Sequence, residues 1–129
     1  MQKPSVDQWL QEAKQSSDAG KIGMYLIHNG TVRATARADV RHKAGDSRPV
    51  RGMLFSYDAA QAETLANTVR KQDGIFCVRV WLNEGRLSVG DDLMQVLIGG
   101  DTRIHVLSAM DFLIGKLKEE CVHEQELFD

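Results

Sequence analysis

The run from residue 79 to residue 118 constrains the fold of this chain more than any other part: RVWLNEGRLSVGDDLMQVLIGGDTRIHVLSAMDFLIGKLK. Its pattern predicts a strand, a turn, a strand edge and then a long helix that ends in lysines. This order puts Arg103 at the start of the helix and Lys118 at its far end. We therefore expect a layout that can bind an anionic substrate and present an amine to it.

The other predicted elements complete a mixed fold. Ser5 is a good N-cap for a short helix that should end at Ala19-Gly20, and Asn29-Gly30 is a turn signal. Strands are predicted over 22–28, 50–57, 75–82, 87–89 and 93–98, and a helix capped by Asp58 over 59–72. The order α-β-β-α-β-β-β-α predicts an α+β fold, with helices packed on a mainly antiparallel sheet.

The last helix should begin after Thr102, which is placed to cap it. Apolar residues repeat along it at intervals of three and four and predict one buried stripe: Leu107, Met110, Ile114, Leu117 and Cys121. Lys118 lies one turn after Ile114, at the border of that stripe. A lysine partly removed from water beside other cations loses its proton more easily, as a nucleophile or base must. The alternative is a lysine whose stem covers the edge of the core.

Composition narrows the class of protein. With 129 residues, the chain suits a single domain over 1–129. A net charge of −2 gives no pull toward nucleic acid or an anionic membrane. The sequence has no apolar run of membrane-spanning length and no signal-peptide core near Met1, so a cytoplasmic protein is expected. Cys77 and Cys121 lack metal-ligand spacing and should stay reduced, and we expect neither a metal site nor a resident cofactor.

Several motifs in this order resemble the large, catalytic subunit of molybdopterin synthase, the MoaE-like family. The likeness covers roughly residues 20 to 126. It rests on Glu84-Gly85-Arg86-Leu87, Val89-Gly90-Asp91-Asp92, Arg103 after an apolar strand, and Leu117-Lys118. Upstream, Val40-Arg41-His42 and Gly45-Asp46-Ser47 resemble the family's valine-arginine pair and the glycine-containing loop after it, and Ser56-Tyr57-Asp58 its aromatic residue before a helix. The chain departs from the family at Thr102, where a histidine is usual, and at Gln125, the place of a second lysine.

The resemblance implies an α/β hammerhead fold and a role in molybdenum cofactor biosynthesis. Such an enzyme transfers sulfur to cyclic pyranopterin monophosphate from the thiocarboxylated C-terminus of a small ubiquitin-like subunit. It implies a homodimer, with Arg41, Thr102 and Arg103 binding the substrate and Lys118 as the catalytic residue. The alternative is a divergent relative without turnover that binds an anionic ligand or a partner's C-terminal tail. The departures at Thr102 and Gln125 favour this alternative.

Two features have competing interpretations. Arg103 follows Gly99-Gly100-Asp101, which leaves the backbone free to approach a ligand, and a guanidinium matches phosphate bidentately. It could instead be a surface arginine paired with Asp101 or Asp92. The segment 33–51 holds seven basic residues and two acids, and is either a solvated basic loop or a loop over an anionic ligand.

Overall fold

The computed structural model of the chain describes residues 2–36 and 49–128. Its helices and strands within these ranges are α1 (Val6–Lys14), a 3₁₀ turn (Ala19–Lys21), β1 (Met24–Thr31), β2 (Val50–Tyr57), α2 (Ala59–Arg70), β3 (Ile75–Leu82), β4 (Gly85–Ser88), β5 (Asp92–Gly100), α3 (Arg103–Glu120) and β6 (Val122–Phe128). The predicted Arg41 and the glycine loop after it lie outside the described residues.

The strands form two antiparallel sheets of three strands each. One has the order β1-β5-β3 and the other β4-β2-β6. All four strand pairings are antiparallel, so the predicted α+β fold is confirmed. Because β5 is the central strand of its sheet, its run of apolar residues is buried within a single chain.

The core lies between the sheets and the two longer helices. Val96 and Ile98 of β5 pack with Val106 and Leu113 of α3, and all four are inaccessible to solvent. From α2, the predicted stripe of Ala62, Leu65, Ala66 and Val69 joins this core. The helix α3 contacts all three strands of the sheet β1-β5-β3.

Local signals predicted several element boundaries correctly. Ser5 Oγ accepts the Gln8 N–H at 3.3 Å, and Asp58 Oδ1 accepts the Gln61 N–H at 3.0 Å, so both caps are confirmed. The strands over 50–57 and 75–82 have the predicted bounds. No helix within the described residues is long and apolar enough to cross a membrane.

Two boundaries in the N-terminal part were wrong. The first helix ends at Lys14, before the predicted Ala19-Gly20, because Ser16 Oγ accepts the Asp18 N–H and stabilises a turn. The expected turn at Asn29-Gly30 lies inside β1, where Gly30 pairs with Met94. Asn29 bridges the strands: it donates to Asp92 Oδ1 at 2.8 Å and accepts from Gln95 Nε2 at 2.6 Å.

The C-terminal region also differs from the prediction. The sequence after α3 forms β6, which pairs with β2 and was not predicted. The buried stripe of α3 is Val106, Ala109, Met110, Leu113 and Leu117. Of the predicted stripe, Leu107 is 48% exposed, because it lies to one side of the face that meets the sheet.

Candidate functional site

A cavity of about 370 Å³ lies at the C-terminal end of α3. Its walls come from five elements, which are β1, β2, the start of β5, the last turn of α3 and β6, and from Arg33 in the segment after β1. Its lining residues are His28, Gly30, Thr31, Arg33, Met53, Leu93, Met94, Lys118, Glu124 and Glu126. The site is therefore assembled from residues distant in sequence.

Lys118, predicted as the catalytic residue, contributes to the wall of this cavity. It follows the fully buried Leu117, so the backbone of the last helical turn is fixed while the ammonium group stays exposed. Among the described residues, Lys118 Nζ has no hydrogen-bond or ion-pair partner. The neighbouring Lys116 differs, since its Nζ lies 3.4 Å from Glu120 Oε2. Lys118 is thus the lysine of this helix that is placed to meet a ligand.

Arg33 brings a second positive charge to the cavity. Its Nε donates to the Thr35 carbonyl at 3.1 Å, and the side chain is exposed. Arg33 comes two positions after the end of β1, whose pairing with the central strand β5 brings it to the cavity. Sequence reasoning placed it in the basic segment and preferred Arg41, so Arg33 was missed.

His28 of β1 is the third basic side chain in the cavity and was also missed. It is partly buried, and neither ring nitrogen has a hydrogen-bond partner among the described residues. Burial lowers the pKa of His28 below its usual value, and the positive charge of Lys118 lowers it further. The imidazole is therefore neutral near pH 7.

Two carboxylates balance these cations. Glu124 and Glu126 are alternate residues of β6, so they face the same side of the strand, and both line the cavity. Gln125 lies between them and lines a different cavity with Leu54, Arg86 and His123. Gln125 stands at the place of the family's second lysine, and its amide faces away from Lys118. The side chains of β6 that share the cavity with Lys118 are acidic.

Arg103 and Thr102 lie at the opposite end of α3 and do not line the cavity. Arg103 is exposed, and fifteen residues separate it from Lys118, or ~22 Å along a helix. Thr102 occupies the N-cap position, but its side chain makes no capping hydrogen bond. Within one chain, the described part of the predicted site is therefore split between two ends of a helix.

The carboxylates that could have paired with Arg103 have other partners. Asp101 Oδ1 accepts the Thr102 N–H at 2.6 Å and lies 2.7 Å from His105 Nδ1. Asp92 Oδ2 accepts from Lys3 Nζ at 3.0 Å. The hydrogen bond to His105 is the main cause that lowers the pKa of Asp101 below its usual value. Among the described residues, Arg103 therefore has no ion-pair partner, and its guanidinium is available to an anion.

Gly99 and Gly100 have a packing role that the sequence did not reveal. A Cβ on Gly100 would lie 2.6 Å from the Gly74 carbonyl oxygen and 2.7 Å from Val106 Cγ2. On Gly99 it would lie 2.9 Å from the ring of Tyr25. Because these two glycines have no side chains, β5 can pack closely against β1, α3 and the turn before β3. This packing accounts for both glycines without the close approach of a ligand that the sequence predicted.

The sequence of the chain matches the model of a known protein family. The family model for MoaE protein matches residues 2–120 of the chain. The chain belongs to the MoaE family. This membership gives it a role in molybdenum cofactor biosynthesis. Among proteins with curated functions, no sequence matches this MoaE chain.

Solved structures agree with the MoaE fold. Molybdopterin synthase from Staphylococcus aureus is similar with a TM-score of 0.73 and 15% identity, over 100% of this chain and 88% of that one. A molybdopterin cofactor biosynthesis protein E from Burkholderia multivorans is similar with a TM-score of 0.70 and 19% identity, over 99% of this chain and 84% of that one. A chain in a complex of subunits 1 and 2 of molybdopterin-converting factor from Helicobacter pylori is similar with a TM-score of 0.66 and 15% identity, over 97% of this chain and 80% of that one. At these identities the likeness establishes the fold.

The described part of this MoaE chain contains no cluster of three or more histidine, cysteine, aspartate or glutamate side chains that could hold a metal ion. Cys121 is buried at the end of α3, and its thiol donates to the Asp58 carbonyl. Cys77 is partly buried on β3. Burial raises the pKa of both thiols, so neither is an activated nucleophile.

Proposed function

We propose that the protein is a catalytic large subunit of molybdopterin synthase. In this proposal it transfers sulfur from the thiocarboxylated C-terminus of a small ubiquitin-like subunit to cyclic pyranopterin monophosphate, in the cytoplasm. The observation that carries the proposal is the convergence of Lys118 and Arg33 on one cavity in a chain of the MoaE family. A thiocarboxylate and a phosphate are both anions, and the two side chains supply cations with different geometries.

Lys118 and Arg33 have separate roles in this reaction. The exposed ammonium group of Lys118 neutralises the carrier's thiocarboxylate or activates the attack of its sulfur. Arg33 holds the substrate phosphate through its planar guanidinium. Arg41 remains a proposed second phosphate ligand, as the family resemblance implies.

The partner is a small sulfur-carrier subunit. This follows from the family and from the Helicobacter pylori complex, in which subunits 1 and 2 of molybdopterin-converting factor are bound to each other. The cavity between β1, β6 and the end of α3 is open to solvent and suits the narrow C-terminal tail of such a carrier.

The protein acts as a homodimer in this proposal. Three apolar side chains on α3 are exposed in the single chain: Ile104 at 74%, Leu107 at 48% and Phe112 at 37%. Exposed apolar surface of this kind is typical of an interface. A dimer also explains how Arg103 and Thr102 can contribute to substrate binding, because a second chain can bring them to the Lys118 cavity of the first.

One observation favours a binding protein without turnover. Glu124 and Glu126 place negative charge beside Lys118, and Gln125 faces a different cavity. The negative charge of these acids opposes the binding of an anion. The alternative function is therefore capture of a partner's C-terminal tail or an anionic ligand.

A reconstitution assay separates the two functions. The protein is mixed with thiocarboxylated small subunit and cyclic pyranopterin monophosphate, and molybdopterin is measured. A synthase makes product, and Lys118→Ala abolishes it while the tail still binds. The matched control is Lys116→Ala, which removes a lysine of the same helix that pairs with Glu120. Binding of the carrier without any product would reject the synthase in favour of the binding protein.

A further inference from the structure

His28 is the group in the cavity that the roles of Lys118 and Arg33 leave unused. His28 belongs to β1, an edge strand of its sheet, and Lys118 belongs to α3. The fold brings these two distant parts of the sequence to the same cavity. A Cβ added at Gly30 would lie 3.5 Å from His28 Nε2. Since Gly30 also lines the cavity, this nitrogen lies at the cavity wall and not in the core.

The surroundings of His28 favour a proton acceptor. Its ring nitrogens have no hydrogen-bond partner among the described residues, so one of them is available to a ligand or water. The charged groups that share its cavity are Lys118 of α3, Glu124 and Glu126 of β6, and Arg33 after β1. A neutral imidazole accepts a proton, whereas the Lys118 ammonium and the Arg33 guanidinium cannot while they are charged.

Sulfur transfer creates a step that needs such an acceptor. When the carrier's sulfur bonds to a substrate carbon, an oxygen group leaves that carbon with the electron pair of the broken carbon–oxygen bond, and the carrier's acyl carbon is left attached through a thioester. Release requires that a water oxygen add to this carbon, that the water give up a proton, and that the carbon–sulfur bond break with its electron pair on sulfur. The products are a carboxylic acid on the carrier, which loses its proton to solvent, and a thiol on the substrate.

We propose that His28 is the general base and acid of this hydrolysis. It takes the proton of the attacking water and returns it to the departing sulfur, so the imidazole ends neutral. The proposal rests on the synthase function proposed above. In this proposal, Lys118 of α3 neutralises the negative charge at the carrier's C-terminus. His28 of β1 carries the proton from the attacking water to the departing sulfur.

Single-turnover experiments with the whole protein test this assignment. Thiocarboxylated carrier and cyclic pyranopterin monophosphate are mixed with wild type, His28→Gln or His28→Ala, and the carrier–substrate thioester and free carrier are followed by mass spectrometry. In His28→Gln we expect the thioester to accumulate, with hydrolysis slowed about 100-fold and carrier affinity unchanged. Added imidazole should restore part of the rate in His28→Ala, because it can enter the emptied space. His123→Gln, an exposed histidine outside this cavity, is the matched control.

The pH profile supplies a second readout. In wild type, hydrolysis should slow as the pH falls through the pKa of His28, which lies below that of a free histidine. This limb should be absent from His28→Gln. Hydrolysis at the wild-type rate in His28→Gln, or a loss of carrier binding with no thioester, would overturn the role of His28 while the synthase function stands. A wild-type protein that forms neither thioester nor molybdopterin would overturn both.

Discussion

At the scale of single residues, the cavity combines charges of both signs, and this balance bears on the anionic ligands proposed for it. Arg33 and Lys118 attract an anion, while Glu124 and Glu126 reduce the net potential. A mixed cavity of this kind selects for geometry more than for charge alone. The planar fork of Arg33 is then the feature most specific for a phosphate or carboxylate.

Arg33→Ala should weaken binding of the pterin phosphate by about 1.5–3 kcal/mol, as for a charged hydrogen bond that is lost. Arg33→Lys should recover part of this, because the charge returns without the fork. Isothermal titration calorimetry measures both. Arg86→Ala is the control, since Arg86 is exposed and lines another cavity. Equal affinity in Arg33→Ala and wild type would remove Arg33 from the site.

Asp92 links stability to pH. Hydrogen bonds from Asn29 and from Lys3 lower its pKa below the usual value. A carboxyl with a lowered folded-state pKa stabilises the fold above its unfolded pKa, about 3.9, and loses that contribution as the pH falls through the folded value. Asp92→Asn should therefore be less stable than wild type near pH 6, and the gap should shrink below about pH 4. Urea unfolding across this range measures it, with Asp73→Asn as an exposed control. A gap that stays constant with pH would contradict the linkage.

At the scale of elements, the sequence predicted those whose pattern and caps agree. The strand over 50–57 and the start of α2 at Ala59 were predicted because apolar periodicity and the Asp58 cap point to the same boundary. The strand β6 was missed because HEQE in its middle is polar on both faces, as an edge strand allows. Asn29-Gly30 is typical of a turn in the local pattern, which contains no trace of the side-chain hydrogen bonds that join Asn29 to Asp92 and Gln95 across the sheet.

The same limit applies to the site. Helical periodicity placed Lys118 at the border of the buried stripe, and the family resemblance implied its catalytic role, which stays a prediction. His28 and Arg33 could not be joined to it, because their proximity depends on the pairing of β1 with β5 and on the packing of α3 across both. Residues brought together by long-range pairing carry no joint signal in a single sequence.

Close packing at Gly100 gives a test of how β5 meets α3. In Gly100→Ala, the new Cβ would meet the Gly74 carbonyl, which is fixed because it accepts the Asp101 N–H at 2.8 Å. We expect a loss of about 1–3 kcal/mol in unfolding free energy. Gly115→Ala is the control: nothing lies within 4 Å of its Cβ, and alanine in a helix should stabilise by about 0.5–1 kcal/mol. Chemical denaturation measures both, and equal stability of the two variants would contradict the packing argument.

At the scale of the whole molecule, Arg103 and Lys118 lie at opposite ends of α3, so a site that contains both requires a second chain. The apolar strands 75–82 and 93–98 are covered largely within one chain, since β5 is central in its sheet and β3 packs with α2. The case for a dimer therefore rests on Ile104, Leu107 and Phe112 and on the two ends of α3. Light scattering should give twice the 14.4 kDa chain mass at micromolar concentration, and a monomer mass would contradict it.

Mixing two inactive variants tests whether a site is shared between chains. If Arg103 of one chain completes the Lys118 cavity of the other, Arg103→Ala and Lys118→Ala homodimers each have no complete site. After the chains are unfolded and refolded together, half of the dimers should be mixed, and each mixed dimer regains one complete site of two. About a quarter of the wild-type molybdopterin yield should then return, because the dimer is symmetric. Refolding each variant alone controls for recovery of the fold. If both residues instead act within their own chain, each mixed dimer has one site lacking Arg103 and one lacking Lys118, and no activity returns.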